Sequence, residues 1–298
     1  MVDNCKCNLV IPGFAKSGTA SVHSYLAMHP DICMSEPKEP WFFAVTEAWN
    51  RGTDWYNTFF NDHGQSRRWY GESSTIYSIW EPALKRIKKS LRDPKFIVLL
   101  RDPVQRLISH YKWYWAYGWE SRSILRAVQQ DDENEFHPDK PMCRINSPCS
   151  PWVNPCGGYR RASQYSRFCP VMDGLFGKEN ILYVKTEQLA RDPQGTMNAC
   201  FRFLDVPEQE VPVIWANVTE DVRLQRTLGF SLLLKPLSKS LRDRLDPGSR
   251  FRRVVKGLLG QRKRKPPEIN DRDKAYLTTL LAEDIAFYES VFRRTSGI

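Results

Sequence analysis

Phe96-Ile97-Val98-Leu99-Leu100 has no polar residue at either parity, so a strand built from it has two faces to bury. Such a strand belongs inside a sheet covered by helices on both sides, not in the one-sided sheet that alternating sequences make. Shorter apolar runs recur at Leu9-Val10-Ile11, Ile32-Cys33-Met34 and Ile181-Leu182-Tyr183-Val184. Helix-like stretches follow from Thr19 to His29, from Pro103 through Trp115, and from Pro193 to Phe203, where the proline suits a first helical turn. The alternation predicts an α/β fold, a central parallel sheet flanked by helices on both faces, with ligands at the carboxyl ends of the strands. Near the end of the chain, Leu277, Leu280, Leu281, Ile285, Tyr288 and Phe292 fall near helical spacing, and Asp271 to Phe292 reads as one amphipathic packing helix.

The turn after the first run is Gly13-Phe14-Ala15-Lys16-Ser17-Gly18-Thr19. Glycines let a backbone approach a phosphate, a helix N-terminus offers free N–H groups, and Lys16 adds a point charge. This is a P-loop-like phosphate-binding turn. It is not a Walker A loop, because Lys16 precedes Gly18 instead of following a glycine and preceding Ser or Thr. Taken alone, the turn also fits an ordinary strand-to-helix connection with a solvated lysine.

Composition narrows the partners. The 298 residues are 26% charged and 41% hydrophobic, which excludes disorder as the main state and fits one domain over 1–298 with a basic helical segment from about 230. The net charge is +10, yet between Lys235 and Lys265 lie twelve basic residues and two acidic ones, so that segment holds the whole surplus. A generally basic nucleic-acid binder is thereby disfavoured, and no nucleic-acid partner is expected. The segment reads first as a solvated face, with contact to an anionic membrane as an alternative. No run of 18 apolar residues and no secretory leader pattern is visible, so the chain reads as soluble and cytoplasmic. The eight cysteines are too few and too irregular for a disulfide scaffold; Cys143, Cys149, Cys156 and Cys169 cluster locally and read as free thiols, with a local disulfide or zinc as alternatives.

Further segments stand in order along the chain: Ser35-Glu36-Pro37-Lys38-Glu39-Pro40-Trp41-Phe42-Phe43, Gly52-Thr53-Asp54-Trp55-Tyr56, Gly71-Glu72-Ser73-Ser74-Thr75-Ile76-Tyr77, Arg101-Asp102-Pro103-Val104-Gln105-Arg106-Leu107-Ile108-Ser109-His110-Tyr111, Gly158-Tyr159 and Gln164-Tyr165. From about Asn8 to Val206 this set resembles the sulfotransferases that use 3′-phosphoadenosine 5′-phosphosulfate. It is most similar to the carbohydrate type, which includes heparan sulfate N- and O-sulfotransferases and their bacterial relatives. The resemblance implies that Lys16, Ser17, Gly18, Thr19 and Ala20 hold the 5′-phosphosulfate. It assigns Arg101 and Ser109 to the 3′-phosphate, places Tyr159 at the nucleotide and, through Asn217 to Arg223, adds Arg223. The product would be adenosine 3′,5′-bisphosphate, with no metal expected.

Sulfuryl transfer needs an acceptor oxygen or nitrogen, relieved of its proton, in line with the sulfur and the departing phosphate oxygen; positioning and charge do most of the work. Lys16 is the candidate at the leaving oxygen. Glu39 matches the family's catalytic glutamate in Glu-x-x-Phe-Phe and is the candidate general base, a role served best by a carboxyl titrating near neutrality. Three departures qualify the match. Trp41 stands where many relatives have His or Gln, leaving the base without that polar neighbour. Ser73 stands where some heparan sulfate enzymes place a lysine. The disulfide-bearing nucleotide loop of the animal enzymes has no counterpart. His110 is a second basic candidate, equally readable as a packed side chain, and Trp113, Trp115, Tyr117 and Trp119 read as core or as an acceptor surface. The acceptor class is a carbohydrate hydroxyl or amine, with a small metabolite as the alternative. A kinase would need a Walker loop and Mg²⁺ ligands, and a non-enzymatic polyanion or membrane binder would use only the basic segment.

Overall fold

The computed structural model describes residues 4–116, 120–131, 158–212 and 266–293. Its centre is a parallel sheet. In chain order the elements are β1 (Leu9–Val10), α1 (Thr19–Leu26), β2 (Ile32–Met34), α2 (Thr46–Asn50), α3 (Gly52–Asn57), β3 (Trp69–Glu72), α4 (Glu81–Ser90) and β4 (Lys95–Leu100). They continue with α5 (Pro103–Ala116), α6 (Ile124–Asp131), α7 (Tyr165–Phe176), β5 (Ile181–Lys185), α8 (Thr186–Arg191), α9 (Pro193–Phe203), α10 (Asp271–Leu280) and α11 (Ala282–Arg293). The strand order is β2-β3-β1-β4-β5, every pair parallel, with Leu9 beside Gly71 on one side and Lys95 on the other.

β4 behaves as its sequence requires. Phe96, Val98 and Leu100 enter the core on one face, beneath α4 and α7, while Ile97 and Leu99 enter the core on the other, with α1 and α9. All five side chains are fully buried. At about 25 cal/mol per Å² of apolar surface, each such side chain contributes roughly 1.5–3 kcal/mol. A third apolar cluster joins α5 and α6 to Leu277 and Leu281.

Two expectations are corrected. β3 was not foreseen, because Trp69-Tyr70-Gly71-Glu72 carries a glycine and a glutamate where an interior strand is normally apolar, yet it lies between β1 and β2. The terminal helix is two helices, α10 and α11. They part at Leu281, whose φ of −108° and ψ of 18° leave the helical region, so Leu277 and Leu281 pack with α5 and α6 while Tyr288 packs toward α7. Among the described residues no helix is long and apolar enough to cross a membrane. Arg223, the basic segment 235–265, Tyr117, Trp119, Cys143, Cys149 and Cys156 lie outside the described residues; Cys169 is a buried free thiol.

Candidate active site

The phosphate-binding turn crosses the carboxyl ends of β1 and β4. Gly13, at φ 147°, passes so close to the next connection that a Cβ there would lie 2.4 Å from Ser78 Oγ and 2.9 Å from the Thr75 carbonyl. Gly18 begins α1 at φ 90°, a conformation that disfavours any side chain. No side chain caps α1 and its first turn holds no acid, so the positive end of the helix is left for another anion.

Three consecutive carbonyls of the turn are each taken from behind. Arg106 Nη1 donates to Ala15 O at 3.2 Å, Arg101 Nη1 to Lys16 O at 3.4 Å, and the Thr186 hydroxyl lies 2.7 Å from Ser17 O and 3.0 Å from Leu100 O. Phe14 N and Ser17 N donate to Leu99 O and Phe14 O, and with these acceptors committed the other N–H groups of the turn are left for a ligand. Ser17 Oγ is fully buried and, apart from the neighbouring buried Tyr165 hydroxyl, has no partner among the described residues. That is an orphaned donor of the kind a bound phosphate oxygen satisfies.

The cations here are poorly neutralised: the charge of Asp131 reaches Arg106, but burial outweighs it. Among the described residues Lys16, Arg101 and Arg106 form no ion pair with an acid. Burial first, then the charges of Arg101, Arg106 and Lys38, push Lys16 down to about 8. Arg106 is fully buried on α5 and brought down to about 10 by burial. It donates to Ser163 Oγ at 2.7 Å and to the Tyr159 carbonyl as well as to Ala15 O. Sequence reasoning gave it no role; the available signal was an arginine on the helix face shared with Pro103 and His110, in a helix of largely apolar and aromatic residues where a charge needs a reason to be buried.

Glu39 lies across from this cluster, in the connection after β2. That connection is stitched to the one after β3: Glu39 N donates to Ser73 O at 3.1 Å and Trp41 N to Ser74 Oγ at 3.1 Å. The carboxylate accepts from Lys38 Nζ at 2.6 Å, from Trp41 Nε1 at 2.9 Å and from Thr75 N at 2.9 Å. Burial pushes its pKa up, but the Lys38 charge and these hydrogen bonds outweigh it, and Glu39 is held below the ordinary glutamate value. The site therefore holds an ionised carboxylate, not one tuned upward. Trp41 is also corrected: its indole N–H is a polar neighbour of the Glu39 carboxylate. Lys16, Glu39 and Trp41 all have left-handed backbones, at φ 69°, 62° and 53°, a conformation that costs about 1–3 kcal/mol for a non-glycine residue and persists where surrounding bonds enforce it.

Beside them, His23 on α1 pairs through Nδ1 with Ser73 Oγ at 2.9 Å; burial and then Lys38 lower it to about 4, so it is neutral at physiological pH. Glu72, fully buried at the end of β3, accepts from Tyr56 Oη at 3.1 Å and is raised by burial to about 7.

Other predicted residues are placed as follows. Thr19 is buried, and Ala20 and Ser109 are half-buried on their helices. Tyr159 is fully enclosed, its hydroxyl donating to Glu120 Oε2 at 3.0 Å, so it supports the site through its carbonyl and not through an exposed ring. His110 is packed among Tyr114, Tyr159 and Trp113 with Nδ1 3.3 Å from Arg106 Nη1. Because a guanidinium only donates, that nitrogen accepts, and burial beside Arg106 and Lys16 holds the ring neutral. His110 is thus a packed ring.

A strand-to-helix turn whose cations form no ion pair with an acid among the described residues, facing a carboxylate held after β2, one strand removed from β1, matches what the ordered motifs imply. Residues 7–223 match the sulfotransferase domain family. The chain belongs to that family. This sulfotransferase-family chain is 30% identical over 135 residues to the membrane-associated sulfotransferase kil1 of Dictyostelium discoideum, a match covering 45% of this chain and 28% of that protein. It is 32% identical over 142 residues to the bifunctional heparan sulfate N-deacetylase/N-sulfotransferase 1 of Homo sapiens, covering 41% of this chain and 16% of that one. The matched part is therefore well under a third of either curated relative. A sulfotransferase structure from Alicyclobacillus acidocaldarius superposes with a TM-score of 0.59 at 28% identity, covering 74% of this chain and 89% of that chain.

Proposed function

We propose that this protein transfers a sulfuryl group from 3′-phosphoadenosine 5′-phosphosulfate to a hydroxyl or amine, with a carbohydrate as the acceptor class and a small metabolite as the alternative. The observation that carries the reading is the turn itself: its carbonyls at Ala15, Lys16 and Ser17 are bound from behind, while among the described residues Lys16, Arg101 and Arg106 form no ion pair with a carboxylate. Such a site selects a ligand with several negative oxygens.

In this reading the turn from Lys16 to Ala20 holds the 5′ end of the nucleotide, and Arg101 with Ser109 holds its 3′-phosphate. The donor supplies an activated sulfuryl group whose leaving oxygen sits on a phosphate. Lys16, as an ammonium, neutralises the charge that grows on that oxygen. Glu39, already ionised, takes the acceptor proton within about 2.6–3.2 Å or through one water. Lys38, Trp41 and Thr75 orient the carboxylate, and the neutral His23 adds no charge to the neighbourhood. Residues 1–298 form one domain in this reading, cytoplasmic, with segment 235–265 as a solvated or membrane-facing stretch.

Calorimetric titration with adenosine 3′,5′-bisphosphate tests the donor. Binding by the wild type that is lost in Arg101→Ala supports it; no binding by the wild type overturns it. Transfer of radiolabelled sulfate tests the base. Glu39→Gln should bind the nucleotide and fail to transfer, and normal transfer by this variant removes Glu39 from the role. A mass-spectrometric acceptor screen, reading an added sulfuryl group, separates glycans from small metabolites.

A further inference from the structure

α5 turns one stripe of side chains toward the phosphate-binding turn. Arg106, His110 and Trp113, at i, i+4 and i+7, share a helical face. Arg106 holds Ala15 O, His110 lies against Arg106, and the ring centroids of His110 and Trp113 are 6.4 Å apart. Beyond them, Lys16 Nζ stands 5.1 Å from the centroid of the Trp113 ring.

That contact matters because of what else faces Lys16. Arg101 from the exit of β4, Arg106 from α5 and Lys38 from the connection after β2 are all cations, and each opposes the ammonium. His110, the other titratable group on the stripe, is neutral. The carboxylate of the site, Glu39, is bound to Lys38. Among the described residues no carboxylate pairs with Lys16, and the group offering it negative potential is the face of an indole, the aromatic ring that holds a cation best.

We propose that Trp113 is a positioning residue for Lys16: its ring is the seat that holds the ammonium over the phosphate-binding turn and keeps it charged before nucleotide arrives. The catalytic consequence rests on the sulfotransfer reading; the contact and its effect on the lysine do not. A seated, charged Lys16 meets the incoming phosphate without first taking up a proton. Without the ring, burial and three neighbouring cations act on the amine unopposed. A partly desolvated cation–π contact is strong enough to move the midpoint of a lysine titration by about half to one and a half pH units.

Competitive labelling of the full chain with trace acetic anhydride between pH 6 and pH 10, read by mass spectrometry on the peptide containing Lys16, measures that midpoint without nucleotide or acceptor. Trp113→Leu should titrate about half to one and a half pH units below the wild type, with Trp113→Phe in between because it keeps a weaker π face. Trp113→Met replaces the leucine variant if the latter does not fold. An unchanged Lys16 midpoint in the leucine or methionine variant overturns the proposal, as does a phenylalanine variant that falls as far as they do. Failure of the wild type to bind adenosine 3′,5′-bisphosphate would overturn the function proposed above and leave this measurement standing.

Discussion

The Trp41 indole N–H donates to Glu39 Oε2 at 2.9 Å, on the same oxygen that receives Thr75 N at 2.9 Å. Two residues apart in sequence and both in left-handed backbone, Glu39 and Trp41 curl toward each other, so the side chain of one becomes the hydrogen-bond donor of the other.

Removing that donor should make the Glu39 carboxylate more basic but less firmly held. Trp41→Phe keeps the ring and deletes the N–H, leaving Lys38 and Thr75 on the carboxylate. A Glu39 held low keeps its ionised form, and with Glu39 as the proposed base the acid limb of kcat/KM marks where that form is lost. In Trp41→Phe the limb should move to higher pH, and transfer at neutral pH should change by no more than about a hundredfold, the scale of one lost charge-assisted bond of about 1.5–3 kcal/mol. An acid limb that stays in place in a rate–pH profile would show that the indole does not tune the base.

Thr186 links α8 to the turn through one hydroxyl shared between Ser17 O and Leu100 O. Thr186→Val is nearly isosteric and removes it. The expected loss of stability is about 1 kcal/mol, and nucleotide affinity should weaken several-fold as Ser17 O is freed. Thermal denaturation and calorimetry with adenosine 3′,5′-bisphosphate read the two effects separately.

Arg106 serves three acceptors at once: Ala15 O, Ser163 Oγ and the Tyr159 carbonyl. Arg106→Lys keeps the charge but replaces a planar fork with a point. Two buried acceptors lose their donor, so the variant should be less stable by about 2–4 kcal/mol and bind adenosine 3′,5′-bisphosphate at least about tenfold more weakly. Wild-type stability in a denaturant titration of this variant would mean that the fork is dispensable.

Glu72 gives a stability prediction with a defined sign. Its folded pKa, raised by burial to about 7, exceeds the unfolded value of about 4.3. The folded state therefore keeps a proton that the unfolded state releases, and this residue lowers stability progressively as pH rises from about 4.3 to about 7. Glu72→Gln keeps the acceptor for Tyr56 and cannot ionise. Its Tm should gain on the wild type as pH is raised from 5 to 8, by the equivalent of about 1–3 kcal/mol at the upper end. A difference independent of pH would assign the titration to other groups.

The strands β1, β2, β4 and β5 were legible because a strand buried on two faces leaves a local trace, an apolar run bounded by turn residues. β3 left none: Gly71 and Glu72 suit its neighbours in space, not its own periodicity. The break at Leu281 was hidden for a related reason, since α10 and α11 each satisfy helical spacing and only their packing on different partners separates them. The turn from Gly13 to Thr19 was legible as a phosphate-binding device, because glycine positions and a helix start are local properties.

What the linear chain determined by itself is the inventory: a parallel α/β sheet, a phosphate-binding turn, Lys16 and Glu39 as candidate chemistry, and a basic surplus confined to 235–265. Tertiary structure decided the electrostatic state of that inventory. Lys38 and Glu39 are adjacent in any conformation, but only the fold buries Glu39 and sets Lys38 Nζ 2.6 Å from it with Thr75 N and the Trp41 indole beside; burial raises its pKa, and the Lys38 charge first, then these hydrogen bonds, turn an expected raised pKa into a lowered one. Likewise, the role of Arg106 exists only because α5 passes behind Ala15, and the seat of Lys16 only because Trp113 comes round on the same face. Backbone geometry is read from neighbours in sequence; charge, desolvation and hydrogen-bond supply come from neighbours in space.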